Sequence, residues 1–181
     1  MGGLRCVDGS YLTVTPVACT DSVGAPYEVT LELHRDGTPY GSVGERCGWF
    51  LARLARGVDE ARQGRGPARR WADPDDRFPG DEPDGELFSF RYRTRAGLPG
   101  GELRCQLRTI PVWQAGRGEW RLTRRAYVEA WAASGVGTRA VLTSSELAGF
   151  VRELLNEAEG CLKGRDMARN AGGGAGTGET R

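Results

Sequence analysis

The sequence predicts an α+β fold: two pseudo-repeats, each an antiparallel meander followed by an amphipathic helix packed on one sheet face. Three observations predict it. Residues 137–162 and residues 37–58 share one plan, a short strand, a helix-capping signal and an apolar helical stripe. Each is preceded by runs that alternate apolar and polar residues, the period of a half-buried strand. Runs of strands followed by a helix are the pattern of a fold that segregates its sheet and helix layers.

The later helix is the clearer of the two. Thr143-Ser-Ser-Glu146 fits a capping box, in which the threonine hydroxyl accepts a helical amide and the glutamate reaches back to the cap amide. Leu147, Phe150, Val151, Leu154, Leu155, Ala158 and Leu162 follow at steps of three or four, one face of a helix. In the earlier stretch, Ser42-Val-Gly-Glu45 is a second box, and Cys47, Phe50, Leu51, Leu54 and Val58 form the stripe. Gly48-Trp49-Phe50 aligns with Gly149-Phe150-Val151, as a repeated supersecondary unit would. The units expected are 1–64 and 87–163, joined by a Pro/Gly/acidic linker at 65–86. A tail at 164–181, poor in apolar residues, is expected to be disordered.

The strands follow from alternation. Residues 4–7 suggest a short edge strand. Residues 11–19 put Leu12 and Val14 on one side, with Pro16 marking an edge or a bulge. Residues 27–33 place Tyr27, Val29, Leu31 and Leu33 inward, and Asp36-Gly37 is a hairpin signal. In 88–95, Phe88, Phe90 and Tyr92 share one side. In 103–109, Leu103, Cys105 and Leu107 do. Residues 119–134 fit either period. As a helix they align Trp120, Tyr127, Val128 and Trp131; the strand is chosen because the repeat calls for strands before its helix.

Charge is uneven along the chain. Residues 87–134 hold nine basic and three acidic groups, in a chain whose net charge is only +1. Arg91, Arg93, Arg95, Arg104, Arg108, Arg121 and Arg125 share the outward phase of their strands and could lie on one sheet face. In one reading that face binds an anion-rich partner, single-stranded nucleic acid or an acidic protein. In the other, Glu28, Glu32 and the linker acids lie across from the arginines and make a solvated face. Phe88, Phe90 and Tyr92 fall on the opposite side, which counts against base stacking. In the linker, Trp71 and Phe78 either pin the loop or form a partner-binding loop. Only Lys163 among 25 basic residues is a lysine, the arginine-rich usage of a GC-rich bacterial genome.

Chemistry is hard to find. His34 is the sole histidine, so no zinc set and no histidine-based triad can be assembled. His34-Arg35-Asp36 matches three letters of a kinase catalytic loop without the companion motifs. The linker acids Asp73, Asp75, Asp76, Asp81, Glu82 and Asp84 lack calcium-loop spacing. No catalytic residue, metal ligand or cofactor is therefore assigned. The five cysteines, Cys6, Cys19, Cys47, Cys105 and Cys161, are odd in number and contain no C-x-x-C pair, which suits buried thiols in a reducing cytoplasm. The first ten residues lack the apolar core of a signal peptide, and no apolar run suits a membrane helix.

The order of elements resembles folds that duplicate a sheet-plus-helix unit, some single-strand-binding proteins among them; likeness of fold does not carry function. The expected function is that of a non-catalytic cytosolic binding protein acting on a protein partner, as an inhibitor, immunity or regulatory factor. Nucleic-acid binding through the arginine face is the alternative, and a carboxylate-based hydrolase ranks below both.

Overall fold

The computed structural model describes residues 2–44, 46–62, 85–91, 101–132 and 134–171. In chain order these form β1 (Gly2–Arg5), β2 (Tyr11–Thr20), β3 (Pro26–Arg35), β4 (Thr38–Val43), α1 (Cys47–Arg62), β5 (Gly85–Arg91), β6 (Gly101–Gln114), β7 (Glu119–Ala132), β8 (Gly137–Leu142) and α2 (Ser144–Ala171). The strands make two four-stranded antiparallel meanders, β1-β2-β3-β4 and β5-β6-β7-β8. The class is α+β, and each sheet is followed in the chain by a helix. β5 begins inside the stretch read as linker, and α2 continues to Ala171, past the Lys163 boundary. An established helix gains one hydrogen bond per residue added, so it can outrun its last apolar contact.

Alternation sets the faces. Leu12, Val14, Val29, Leu31, Leu33 and Val43 are fully buried on one side of the first sheet, and Leu103, Cys105, Val128, Ala130 and Ala140 on one side of the second. These side chains and the helical Cys47, Leu51, Leu147, Val151, Leu154 and Ala158 form a single core. The β3–β4 hairpin turns on Asp36 (φ 50°) and Gly37 (φ 78°), both left-handed, as a tight two-residue turn requires. Pro16 lies where β2 pairs with β3 alone, because β1 covers β2 only as far as Val14. Tyr27 departs from the expected inward phase and is exposed. The register shifts between Cys19 and Thr20, whose partners are Glu28 and Pro26, and this irregularity skips Tyr27.

Residues 119–132 settle as strand. β7 pairs with β6 continuously from Glu119↔Gln114 to Ala132↔Gly101, a ladder that overrides any local helical preference.

The capping box before α2 is present. Thr143 N donates to Glu146 Oε2 at 2.7 Å, and Glu146 N donates to Thr143 Oγ1 at 3.2 Å. The box expected before α1 is not its cap as read: Ser42 lies within β4, opposite Glu32, and Glu45 lies outside the described residues. Instead Glu28 of β3 reaches across and accepts a bond from Gly48 N at 3.0 Å, placing a carboxylate at the helix N-terminus. A Cβ at position 48 would sit 2.8 Å from that carboxylate oxygen. Gly48→Ala should displace Glu28 and cost about 1–2 kcal/mol, the range for loss of a cap. Thermal unfolding would show this as a fall in Tm of about 2–8 °C; an unchanged Tm would mean that Glu28 does not hold the helix.

The helices do not simply pack on the sheets that precede them. α1 lies against β3, its own sheet, but α2 crosses over to β1, β2, β3 and α1, meeting β7 and β8 only marginally. The second sheet is approached instead by the first unit. β4 contacts β6 and β7, and Phe50 of α1 meets Phe90 of β5 edge-on at 4.9 Å. Backbone bonding joins the sheet edges as well, with Val7 N donating to Arg139 O at 2.8 Å. No helix among the described residues is long and apolar enough to cross a membrane.

No disulfide joins the cysteines. Burial pushes the Cys47 thiol up to about 12, with the Glu28 carboxylate adding to the shift, and burial raises Cys105 further. Because the thiolate is the nucleophile, iodoacetamide at mildly alkaline pH should leave Cys47 and Cys105 unmodified in the folded protein and label them on unfolding. Peptide mapping by mass spectrometry checks this; labelling of either in the native state would contradict the packing.

Candidate functional site

The two longest strands build the site. Among the described residues β5 pairs with β6 up to Leu107, and β8 pairs with β7 from Ala126 onward. Beyond these points β6 and β7 continue together, from Arg108↔Arg125 to Gln114↔Glu119. Among the described residues no third strand accompanies them. The result is a two-stranded arm closed by a turn in which Arg117 N and Gly118 N both donate to Gln114 O.

The arm has two unlike faces. One continues the core side of the sheet. In place of buried leucines it carries Pro111, Trp113, Trp120 and Leu122, and the last three are 50%, 67% and 65% exposed. Trp113 and Trp120 face each other across the strands with ring centroids 5.5 Å apart. The other face carries Arg108, Val112, Arg121 and Arg125; Arg121 Nε donates to Glu119 Oε1 at 2.7 Å.

Toward the body, that second face becomes a lattice of arginines and rings. Arg104, Glu129 and Arg139 stand in one cross-strand row. Arg104 Nε donates to Glu129 Oε2 at 2.6 Å, and Arg139 Nε to Oε1 at 2.7 Å. The glutamate side chain is only 1% exposed. Burial alone would raise its pKa, but the hydrogen bonds and charge of the two guanidinium groups outweigh that and hold it below the usual carboxylate range. Arg104 lies 5.4 Å over Trp131, while Arg108 and Arg139 lie 5.4 and 5.3 Å from Tyr127. Trp131 rests on Gly137, where a Cβ would come within 2.7 Å of the ring.

The structure thus brings Arg104, Arg108, Arg121 and Arg125 onto one face, with Arg91 at its margin beside Glu102 at 3.5 Å. Arg93, Arg95, Trp71 and Phe78 lie outside the described residues. Glu28 and Glu32 belong to the first sheet: Glu28 caps α1, and Glu32 is 3.9 Å from His34. Among the described residues the acids on the arginine face are Glu86, Glu102, Glu119 and Glu129; the remaining linker acids lie outside the described residues. Tyr127 and Trp131 also stand on the arginine face; of the aromatics expected on the opposite one, Phe88 and Phe90 are buried there and Tyr92 lies outside the described residues. Tyr127 and Trp131 share the odd-numbered phase of Arg121 and Arg125, a signal present in the sequence once β7 is read as a strand. Arg139 was legible too, in the alternation of Gly137–Leu142.

A cleft of about 810 Å³ opens between the start of α1 and β5, lined by Glu28, Arg46, Trp49, Phe90 and Arg91 among others. Among the described lining residues the carboxylate is Glu28, which is already engaged by Val29 N and Gly48 N. Among the described residues no group of three His, Cys, Asp or Glu converges as metal ligands would. The chain matches no protein-family model, no curated protein and no solved structure.

Proposed function

We propose that the protein is a non-catalytic binding protein acting on a protein partner, as an inhibitor, immunity or regulatory factor, and that the β6–β7 arm is its grip. The observation that carries this reading is the exposed trio Trp113, Trp120 and Leu122, standing on the face that elsewhere is core. Contiguous exposed apolar surface marks interaction sites, and buried tryptophans anchor protein interfaces more than almost any other residue. A protein that acts by covering its partner requires no nucleophile or metal of its own. Five cysteines without a disulfide suit a reducing cytoplasm. The recurrence of four strands and a helix supports a duplicated unit.

A second reading, single-stranded nucleic acid on the outer face, draws on Tyr127 and Trp131 standing among Arg104, Arg108 and Arg139. Guanidinium groups and Gly137 already occupy the neighbourhood of those rings, which makes them poor stacking platforms.

The test is photo-crosslinking in cells from a reactive residue at position 120, with position 11 on the exposed face of the first sheet as control. A protein captured at 120 and not at 11 should then bind the purified chain in titration. Capture of nucleic acid in its place, or nothing above the control, would overturn the proposal.

A further inference from the structure

A second cavity, of about 490 Å³, lies between the two sheets, walled by residues 3–7 on one side and by Val141 and Leu142 on the other. We propose that it is a peptide groove: an extended segment carrying basic residues inserts between β1 and β8 and hydrogen-bonds to both. The proposal is independent of the arm, since none of the described lining residues belongs to β6 or β7.

Backbone phase leads there first. β1 and β8 are edge strands of their sheets. Cys6 N donates to Ser10 O, and in an antiparallel pair such bonds fall at every second residue. With the register Leu4↔Leu12, the even-numbered groups of β1 therefore serve β2, and those of Gly3 and Arg5 turn to the free edge. On the other wall Ala132 N donates to Val136 O, so by the same count Val141 turns its N–H and C=O away from β7. The two free edges meet at one end, where Val7 N donates to Arg139 O at 2.8 Å; among the described residues this is the one backbone bond between them. Beyond it the edges part around the cavity. Both walls thus present ladder groups of the kind that a strand entering a sheet edge recognises.

The floor specifies the strand. It is the stripe Glu146, Gly149, Phe150 and Glu153 of α2, at helical steps of three and four. Phe150 and the flanking Leu4 and Leu142 are buried and supply an apolar base. The two carboxylates make the floor acidic. Glu146 is tied into the α2 cap, but Glu153 is exposed and has no ion pair among the described residues. Arg5 alternates with the buried Leu4 and Cys6, so its charge stands on the outer face, away from the floor. A Cβ at Gly149 would meet nothing within 4 Å, so packing inside the chain does not call for a glycine there. Glycine in a helix interior costs about 1 kcal/mol relative to alanine. What it supplies is clearance over the helix for a side chain of an inserted strand. Successive side chains of a strand fall on opposite faces. The segment that fits therefore has lysine or arginine at alternate positions, the stem over Gly149 and Phe150 and the charge at Glu153.

Three heptapeptides test the proposal on the full-length protein: alternating valine–lysine, alternating valine–glutamate, and the valine–lysine peptide N-methylated at alternate amides. Binding is measured by isothermal titration and located by residue-resolved amide hydrogen exchange. The valine–lysine peptide should bind and slow exchange at both Arg5 and Val141 about tenfold or more; the other two should not bind. Glu153→Lys should weaken binding about tenfold, because a like charge replaces an opposite one. Gly149→Leu should abolish binding by filling the floor, while Tm holds or rises. Equal binding by the glutamate peptide, indifference to N-methylation, protection on one wall alone, or full binding by Gly149→Leu overturns the proposal. So does no binding at millimolar peptide. Crosslinking from position 120 tests the arm separately, so either site can fail without the other.

Discussion

Replacing Trp113 and Trp120 together by alanine should cut affinity for the captured partner by on the order of a thousandfold while the protein stays folded. Each anchor of this type is worth about 2 kcal/mol or more, and 1.4 kcal/mol is a factor of about ten. The two rings are 5.5 Å apart, so they act as a coupled pair, and the double variant will not equal the sum of the singles. Stability should change little. Both rings are half or more exposed at the far end of the arm, away from the shared core. A cross-strand pair contributes only about 0.2–1 kcal/mol, which is a few degrees of Tm at most for a chain of this size. Isothermal titration with circular dichroism as the folding control checks it. An unchanged Kd would move the interface elsewhere on the molecule.

The second large effect lies beneath the arm's cationic face. Glu129→Gln should destabilise the fold by about 1–3 kcal/mol, the range for hydrogen bonds to charged groups whose arginine partners are partly solvated. The amide carries no charge, so Arg104 and Arg139 would face each other across it without neutralisation. Unfolding in urea should show a lower midpoint with an unchanged slope. The effect must also depend on pH. Because the folded protein holds the Glu129 pKa below its usual value, the stabilisation is fully present above the unfolded pKa. It is lost as pH falls through the folded one. The gap between the native protein and Glu129→Gln should therefore be widest near neutrality and close in acid. A gap that persists unchanged below the carboxylate range would show that shape, not charge, is what Glu129 supplies.

Much of this fold is legible in the sequence. The alternation of 27–33 apart from Tyr27, the Asp36-Gly37 turn and the Thr143–Glu146 box are local signals, and local sterics and hydrogen bonding suffice to specify them. The outward phase of Arg104, Arg108, Arg121 and Arg125 follows from the same two-residue period. Three matters needed the tertiary structure. The destination of α2 depends on which apolar faces remain open after the sheets meet, and no helical stripe encodes that. The Glu28 cap on α1 and the Arg104–Glu129–Arg139 row join residues far apart in the chain, whose adjacency is set by packing and strand register. The arm itself is a difference of lengths. Trp120 and Leu122 share the phase of Ala126 and Val128 on an amphipathic strand; with Trp113 they lie beyond the end of β8, and among the described residues no further strand covers them. Periodicity determines which residues share a face; how far neighbouring elements extend decides whether that face is covered.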